Sequence, residues 1–381
     1  MSLPRSLART LAMARKEGLH IVRDSRSLAM ALAVPVLMLV LFGYALTLDV
    51  DRIPTLVYDQ DHTPQSRELI TRFSGSRYFQ MLGSVDEYGT VQRAIDAGRC
   101  LLGIVIPKDY GRHLLASQEA DVQLLLDGSD SNTASITLGY ANAIVRAYAF
   151  ELQNQALERR GGGRLDPPVD AQLRVWYNPE LQSRNYIVPG LIAVILMIIA
   201  AMLTSLTIAR EWESGSMEQL LSTPVRAHEI VLGKMAAYFV LGMVNMLVTI
   251  GVGVFLFGVP LRGNPLLVLV SSCIFLMGAL FWGIFLSAVA KTQLMAYQMG
   301  MLTSFLPAFL LSGFVYAIGN MPIVIQVVTY MFPSRYFVTI LKGLFLKGVG
   351  LDVLWVELTL LVVYAGVIFL AATRKLKQKI A

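Results

Sequence analysis

Charge is scarce in this chain. Only 15% of its 381 residues are Asp, Glu, Lys or Arg, where a soluble protein carries about 25%. That shortage argues against an ordinary soluble domain. Cysteine is nearly absent: Cys100 and Cys273 lie in regions that the apolar pattern separates, so no disulfide framework is expected. The four histidines, His20, His62, His113 and His228, have no metal-ligand spacing, and no metal site is expected. The phosphate-cradling pattern G-x-x-x-x-G-K-[ST] is missing. The nearest fragment, LGKMAA from Leu232, has no glycine at the required upstream position. No nucleotide or other cofactor is therefore expected on this chain. Ser66, Asp109 and His113 exist without any catalytic spacing around them, which argues against an enzyme.

Long apolar runs take the place of charge. A helix crosses ~30 Å of hydrocarbon in about 20 residues. The runs 28–48, 186–209, 235–258, 266–290, 294–315 and 353–373 reach that length and predict an α-helical polytopic membrane protein with about six spans. The basic residues are clustered at the two ends: Arg5, Arg9, Arg15, Lys16, Arg23 and Arg26 before the first run, Arg374, Lys375, Lys377 and Lys379 after the last. By the positive-inside rule both termini are expected in the cytoplasm, which fits an even number of spans. The net charge of +6 thus reflects topology and membrane lipids, and no nucleic-acid partner is expected. Segment 1–27 places Leu3, Leu7, Leu11, Ala14 and Ile21 at helical spacing among basic residues. It predicts a cytoplasmic amphipathic helix lying on the bilayer surface. The first run, 28–48, is too long and too far along the chain for a cleaved signal peptide.

Between the first two runs lies an insert, 49–185, large enough for its own core. TLVYD, RYFQMLG, LLGIVIP and DVQLLLDG read as strands, with helical patterns at PQSRELITRF, VDEYGTVQRAIDAG and KDYGRHLLAS between them. The order β-α-β-α-β-α-β predicts a mixed α/β domain on the extracytoplasmic side. A long helix is expected from 131 to about 160, then a flexible connector at GGGRLDPP. Asp127 and Asp130 read as turn and capping residues before that helix. Trp176, Tyr177 and Tyr186 then mark a return to the bilayer interface.

The second to fifth runs hold no paired ionisable groups, which disfavours an ion-coupled carrier. Glu357, the one acid in a run, lies near the outer end of the last span and reads as snorkelling or a helix-terminal hydrogen bond ahead of a proton relay. Thr204, Ser205, Asn245, Thr249, Thr303 and Ser304 are polar positions inside the runs. Each either ties helices together or lines a translocation path. Pro307 is expected to kink the fifth span. Segment 316–352 is too long for a turn and too apolar for a solvated loop. Pro322, Pro333, Gly343 and Gly348 divide it into pieces that predict re-entrant or interfacial helices on the outer side.

EWESGSMEQLLSTPV, 211–225, joins the second and third runs on the cytoplasmic side. Ser216 and Gln219 fit a capping box, Met217, Leu220 and Leu221 share one face, and Thr223-Pro224 stops the helix. Glu211, Glu213 and Glu218 leave the rest acidic. Two turns cannot bury an apolar face alone, and acid disfavours the anionic leaflet. A protein partner is expected, against the alternative that the segment folds onto its own bundle.

These residues carry a resemblance. REWESGSMEQLLSTPV followed by EIVLGK is similar to the cytoplasmic coupling segment of ABC-2 type transporter permeases with a large ectodomain between the first two spans. HIVRDSRSLAMALAVPVLMLVLFGYAL resembles that family's first span. LLLDGSDSNTA, YNPELQSRNYIVPG and FPSRYFVTILKGLFLKGVG resemble its ectodomain end, re-entry and outer helices. Gly215-Ser216 stands where many relatives have Gly-Thr. The resemblance implies an exporter of lipophilic drugs or lipids in a bacterial inner membrane. ATP and Mg²⁺ would sit on separate ATPase subunits that receive Glu211, Trp212, Glu213, Gly215, Met217, Glu218, Leu220, Leu221, Thr223 and Pro224. It also implies a second permease copy or paralogue, a periplasmic adaptor, membrane-lipid contacts, and an outer gate at Pro333, Arg335 and Tyr336. The alternatives from the residues alone are an ion-coupled secondary transporter and a receptor that uses the ectodomain as sensor.

Overall fold

The computed structural model describes residues 5–46, 50–116, 118–159, 174, 176–179, 182–290 and 292–380. The chain divides into two compact units: one of residues 1–47 with 174–381, the other of residues 48–173. The predicted connector at 161–168 lies outside the described residues.

In the first unit, α1 (Arg5–Arg23) and α2 (Ser25–Ala45) are separated by Asp24. The second unit then alternates as its pattern predicts: β1 (Ile53–Asp59), α3 (Pro64–Ser74), β2 (Phe79–Ser84), α4 (Tyr88–Asp96), β3 (Leu102–Ile106), α5 (Tyr110–Leu115) and β4 (Gln123–Leu126). The strands form one mixed sheet in the order β2-β1-β3-β4. β1 runs parallel to β2 and β3, and β4 is antiparallel to β3. β1 alternates buried and half-buried residues along its length, while all five residues of β3 are buried, as expected where helices cover both faces of the central strands. The long helix α6 (Ser131–Arg159) packs Ala141 and Tyr148 into the core with Phe73 and Ile104. Asp130 accepts from the Asn132 amide at 3.1 Å and the Thr133 hydroxyl at 2.5 Å, and this bonding holds its carboxyl below the usual range. The capping role read from the sequence is thus what its contacts support. Ser66, Asp109 and His113 form no catalytic set, because Ser66 is buried and donates to Asp59 at 2.6 Å, while Asp109 pairs with Arg112.

The first unit resumes with α7 (Ser183–Ser205), α8 (Thr207–Glu213), α9 (Ser216–Leu221), α10 (Ala227–Gly251), α11 (Pro265–Val289), α12 (Gln293–Leu310), α13 (Ile323–Thr329), α14 (Pro333–Lys342) and α15 (Leu351–Ile380). α7 is the axis: residues 187–201 are all buried, and α2, α10, α11, α12 and α14 surround it. A helix apolar on every side is suited to such a position. Around it, Leu37, Leu41, Val240, Leu247, Val363 and Val367 are exposed apolar side chains, a surface suited to lipid and not to water.

Among the described residues, five helices are long and apolar enough to span a membrane: Leu28–Ala45, Ser183–Glu213, Ala227–Leu256, Pro265–Val289 and Leu351–Lys377. The bent pair Ile323–Thr329 and Pro333–Lys347, angled at 87°, brings the count to six if taken as one span. The fifth run predicted at 294–315 is shorter than expected, and α12 is not among the five. Pro307, expected to kink this span, stands one turn before its end at Leu310. The third span starts earlier than predicted, at Ala227, which brings Glu229 and Lys234 onto it.

Candidate functional site

The end of the bundle that carries α8 and α9 gathers most of the buried charge. α8 starts after a break at Leu206, and no side chain of its own caps its first amides. Ser287 of α11 does so instead: its hydroxyl accepts from the amides of Ile208 and Ala209, each at 2.9 Å. A tertiary cap of this kind satisfies orphan helix amides that a local residue otherwise must. One turn back, Thr204 donates to the Leu280 carbonyl at 3.0 Å and to its own Ala200 carbonyl at 2.9 Å. The end of α7 and the first turn of α8 are therefore pinned to α11.

The turn into α9 rests on Gly215, whose φ of 74° is the left-handed region where a Cβ costs about 1–2 kcal/mol. Gly215→Val is expected to strain this turn without aggregating the protein, and size-exclusion profiles alongside a melting temperature check it. The capping box expected at Ser216 and Gln219 does not form. Gly215 occupies the cap, and the Ser216 hydroxyl turns back towards the Glu211 carbonyl at 3.4 Å and the Ser214 hydroxyl at 3.0 Å. A one-way side-chain cap stands one helix later, where Glu229 accepts from the Arg226 amide at 2.9 Å and lies 3.8 Å from Arg9.

The apolar face of α9 does not wait for a partner. Met217 is fully buried, and Leu220 packs beside it. Their cluster draws Met13 from α1, Ile208 from α8, Ile230 from α10, Ile284 from α11 and Leu376 from α15. The folded-back alternative therefore describes Met217, because five other helices supply the apolar surface that two turns lack. Glu218, Gln219, Ser222, Thr223 and Pro224 face outward. The Leu221 side chain lies outside what the structure describes.

Glu211 is not an exposed acid either. It is buried with its carboxylate 3.0 Å from Lys234 and 2.6 Å from Lys16. Lys234, also buried, lies 2.7 Å from Glu17. Two carboxylates and two ammonium groups thus alternate, and α1, α8 and α10 are tied together by their charge. Pairing at these distances is what makes buried charge tolerable. Lys234 and Glu17 escape the sequence pattern, because LGK reads there as an incomplete phosphate loop and α1 as a surface helix. The amphipathic pattern of α1 is real, but one of its polar faces docks on α10. Glu211 and Lys234 pair near the ends of α8 and α10, just outside the runs 186–209 and 235–258 that were expected to hold no ionisable pairs. Glu213 remains exposed and accepts from the Gln293 amide at 3.0 Å, joining α8 to α12.

The polar positions proposed as a path are mostly buried and self-bonded. Ser205 donates to Met202, Thr249 to Asn245, and Thr303 to Met299 while accepting from the Trp282 indole at 3.2 Å. Asn245 and Ser304 are buried with no side-chain partner among the described residues. At the outer-gate residues, Pro333 starts α14, Arg335 donates to the Gln326 carbonyl at 3.1 Å and to the Thr329 hydroxyl, and Tyr336 donates to the Tyr330 carbonyl at 2.7 Å. Together they fasten α14 to the end of α13. Lys342, missed from sequence, donates to the Gly313 carbonyl at 2.8 Å and lies 3.5 Å over the Tyr186 ring. Among the described residues no group of three or more His, Cys, Asp or Glu side chains is arranged for a metal.

Comparison with known proteins agrees with this architecture. Residues 26–374 match the family model described as "ABC-2 family transporter protein". The chain is 36% identical over 369 residues to "Probable multidrug ABC transporter permease YbhS" of Escherichia coli (strain K12), covering 97% of this chain and 96% of the relative. It is 31% identical over 374 residues to "Probable multidrug ABC transporter permease YbhR" of the same organism, covering 98% and 99%. "Inner membrane transport permease YhhJ", also of that strain, is 26% identical over 338 residues, 86% of each chain.

Proposed function

Because the chain belongs to the ABC-2 family of transporter proteins, we propose that it is the membrane-spanning permease of an ATP-driven exporter of lipophilic drugs or lipid-like molecules. Permeases of this family work with separate ABC ATPase subunits, and here ATP and Mg²⁺ belong to that partner. The reading places the chain in a bacterial inner membrane, with both termini cytoplasmic and the α/β unit periplasmic. A second permease copy or paralogue completes the translocation path, and a periplasmic adaptor meets the α/β unit.

One observation carries this reading. The polar face of α9 points outward while Met217, on its opposite face, sits in a cluster fed by α1, α8, α10, α11 and α15. A partner that presses on Glu218, Gln219 and Ser222 therefore moves a rigid base and not a loose loop, since close-packed interiors transmit strain. The contact is through the polar face, so the recognition is electrostatic and hydrogen-bonded, with charge complementarity setting the partner's orientation.

Glu218 is exposed, so Glu218→Lys is expected to leave insertion and melting temperature unchanged. It should reduce transport and permease-stimulated ATP hydrolysis at least about tenfold, the effect of turning one attractive charge contact into a repulsive one. A photo-cross-linker at Ser222 should capture the ATPase. Normal transport by the variant, with cross-linking to lipid alone, refutes the coupling role.

A further inference from the structure

A cleft of about 410 Å³ opens between the α1–α2 junction and helices α7, α10 and α12. One wall is Ala31 and Val34 of α2; the other is Ile199 and Leu203 of α7, with Leu241 of α10 closing the side. The lining runs from Asp24 to Val34 on one side and from Arg210 to Ile199 on the other, roughly 15 Å at 1.5 Å per residue. That is half of the ~30 Å hydrocarbon core, the depth of one leaflet.

The cleft has a polar end and an apolar interior. Its mouth holds His20, Asp24 and Arg210, with Arg23 and Arg26 exposed beside Asp24 along the chain. Arg210 is exposed and its guanidinium meets His20 at 3.1 Å. A guanidinium carries five donors in a fork that matches carboxylate or phosphate oxygens, so one contact leaves capacity for an anion. Arg210 is thus the lining residue whose charge and spare donors suit an anionic group. An apolar slot one leaflet deep, with the Arg210 guanidinium at its end, is complementary to a molecule with a single chain and an anionic head.

We propose that this cleft binds an anionic amphiphile from the leaflet on the α8–α9 side, its headgroup oxygen held by Arg210 and its chain lying between α2 and α7. The orientation rests on the exporter reading. Two sources share this chemistry: a resident membrane lipid, and an amphiphile taken up for export.

The test uses the full permease with its ATPase in phosphatidylethanolamine vesicles. The probes are a photoactivatable diazirine palmitate and the matching neutral alcohol. Without nucleotide, palmitate is expected to label peptides of α2 and α7. Val34→Trp and Leu203→Trp, which fill the slot from opposite walls, should each lower that labelling about tenfold. Arg210→Gln should lower palmitate labelling about tenfold, the loss of one charge-assisted hydrogen bond, and leave the alcohol unchanged. Val34 is partly exposed, so its variant keeps the test usable if Leu203→Trp misfolds. Labelling unmoved by both tryptophans, or an Arg210→Gln effect equal for both probes, overturns the site. Added ATP and Mg²⁺ separates the sources: labelling falls for exported cargo and persists for a resident lipid, and both results support the site. Labelling needs no hydrolysis, so its failure removes the cleft assignment while the Glu218→Lys transport result still decides the exporter reading.

Discussion

Lys234→Met is expected to destabilise the membrane unit by about 3–5 kcal/mol, the usual cost of stripping one partner from a buried ion pair. The reason is the geometry of the cluster. Lys234 lies 2.7 Å from Glu17 and 3.0 Å from Glu211, and its own side chain is only 1% exposed. Removing the ammonium leaves two carboxylates facing each other in a dry site. Lys16, which is half exposed, compensates only Glu211. The measurable result is a lower melting temperature in detergent, with early release of α1 detected by protease cleavage near its end. The triple variant Glu17→Gln, Lys234→Met, Glu211→Gln removes all the stranded charge and is expected to recover most of the stability, because replacing a whole buried ionic set is often neutral. If the single variant melts like the wild type, the cluster contributes nothing to holding α1, α8 and α10 together. If the triple variant folds and still fails to transport, the charges act in coupling as well as in packing.

That cluster marks where the sequence stops being legible. Spanning length is a local property, so α7, α11 and α15 fall close to the runs that predict them. The α/β unit is legible for the same reason: its strands and helices alternate with clear period and turn signals, and the sheet order follows from a fold that buries β3 on both faces. Which sides of α1 and α9 are covered is a tertiary matter. Two turns of helix cannot reveal that Met13, Ile284 and Leu376 meet Met217, since those residues come from three distant parts of the chain. The pattern correctly marked the apolar face of α9 but assigned it to the wrong partner.

Caps failed in a similar way. Ser216 and Gln219 satisfy a local motif, yet the left-handed Gly215 takes the cap. The cap that matters for α8 comes from Ser287, 79 residues away from Ile208. No window along the chain contains that pair. Charge was misread for a related reason: Glu211 looks like one of three surface acids until Lys16 and Lys234 are placed beside it. A lysine at the edge of an apolar run was the available signal, because buried ammonium demands a carboxylate.

Gly283→Leu is expected to be as damaging as the loss of Lys234, and for a steric reason. A Cβ at Gly283 would stand 2.0 Å from the Thr204 hydroxyl and 2.5 Å from the Ala201 carbonyl. The backbone of α7 cannot yield as a flexible side chain does, so the helices must part. Within a bilayer there is little hydrophobic drive to hold two helices together, and close approach through small residues does that work. Parting α7 from α11 breaks the Thr204–Leu280 bond and draws Ser287 away from the first amides of α8. Overpacking alone costs about 1–3 kcal/mol, and two exposed amides without acceptors add about 1–3 kcal/mol each. The α8–α9 segment should then lose its attachment to the bundle before the bundle itself unfolds. Hydrogen exchange at Ile208 and Ala209 is expected to rise ahead of global melting, with ATPase stimulation lost. Gly366 of α15 is the internal control: nothing lies within 4 Å of a Cβ built there, and Gly366→Leu should insert, melt and transport normally. Equal tolerance at Gly283 and Gly366 would show that the α7–α11 seam has room to spare and that α8 is not held through it.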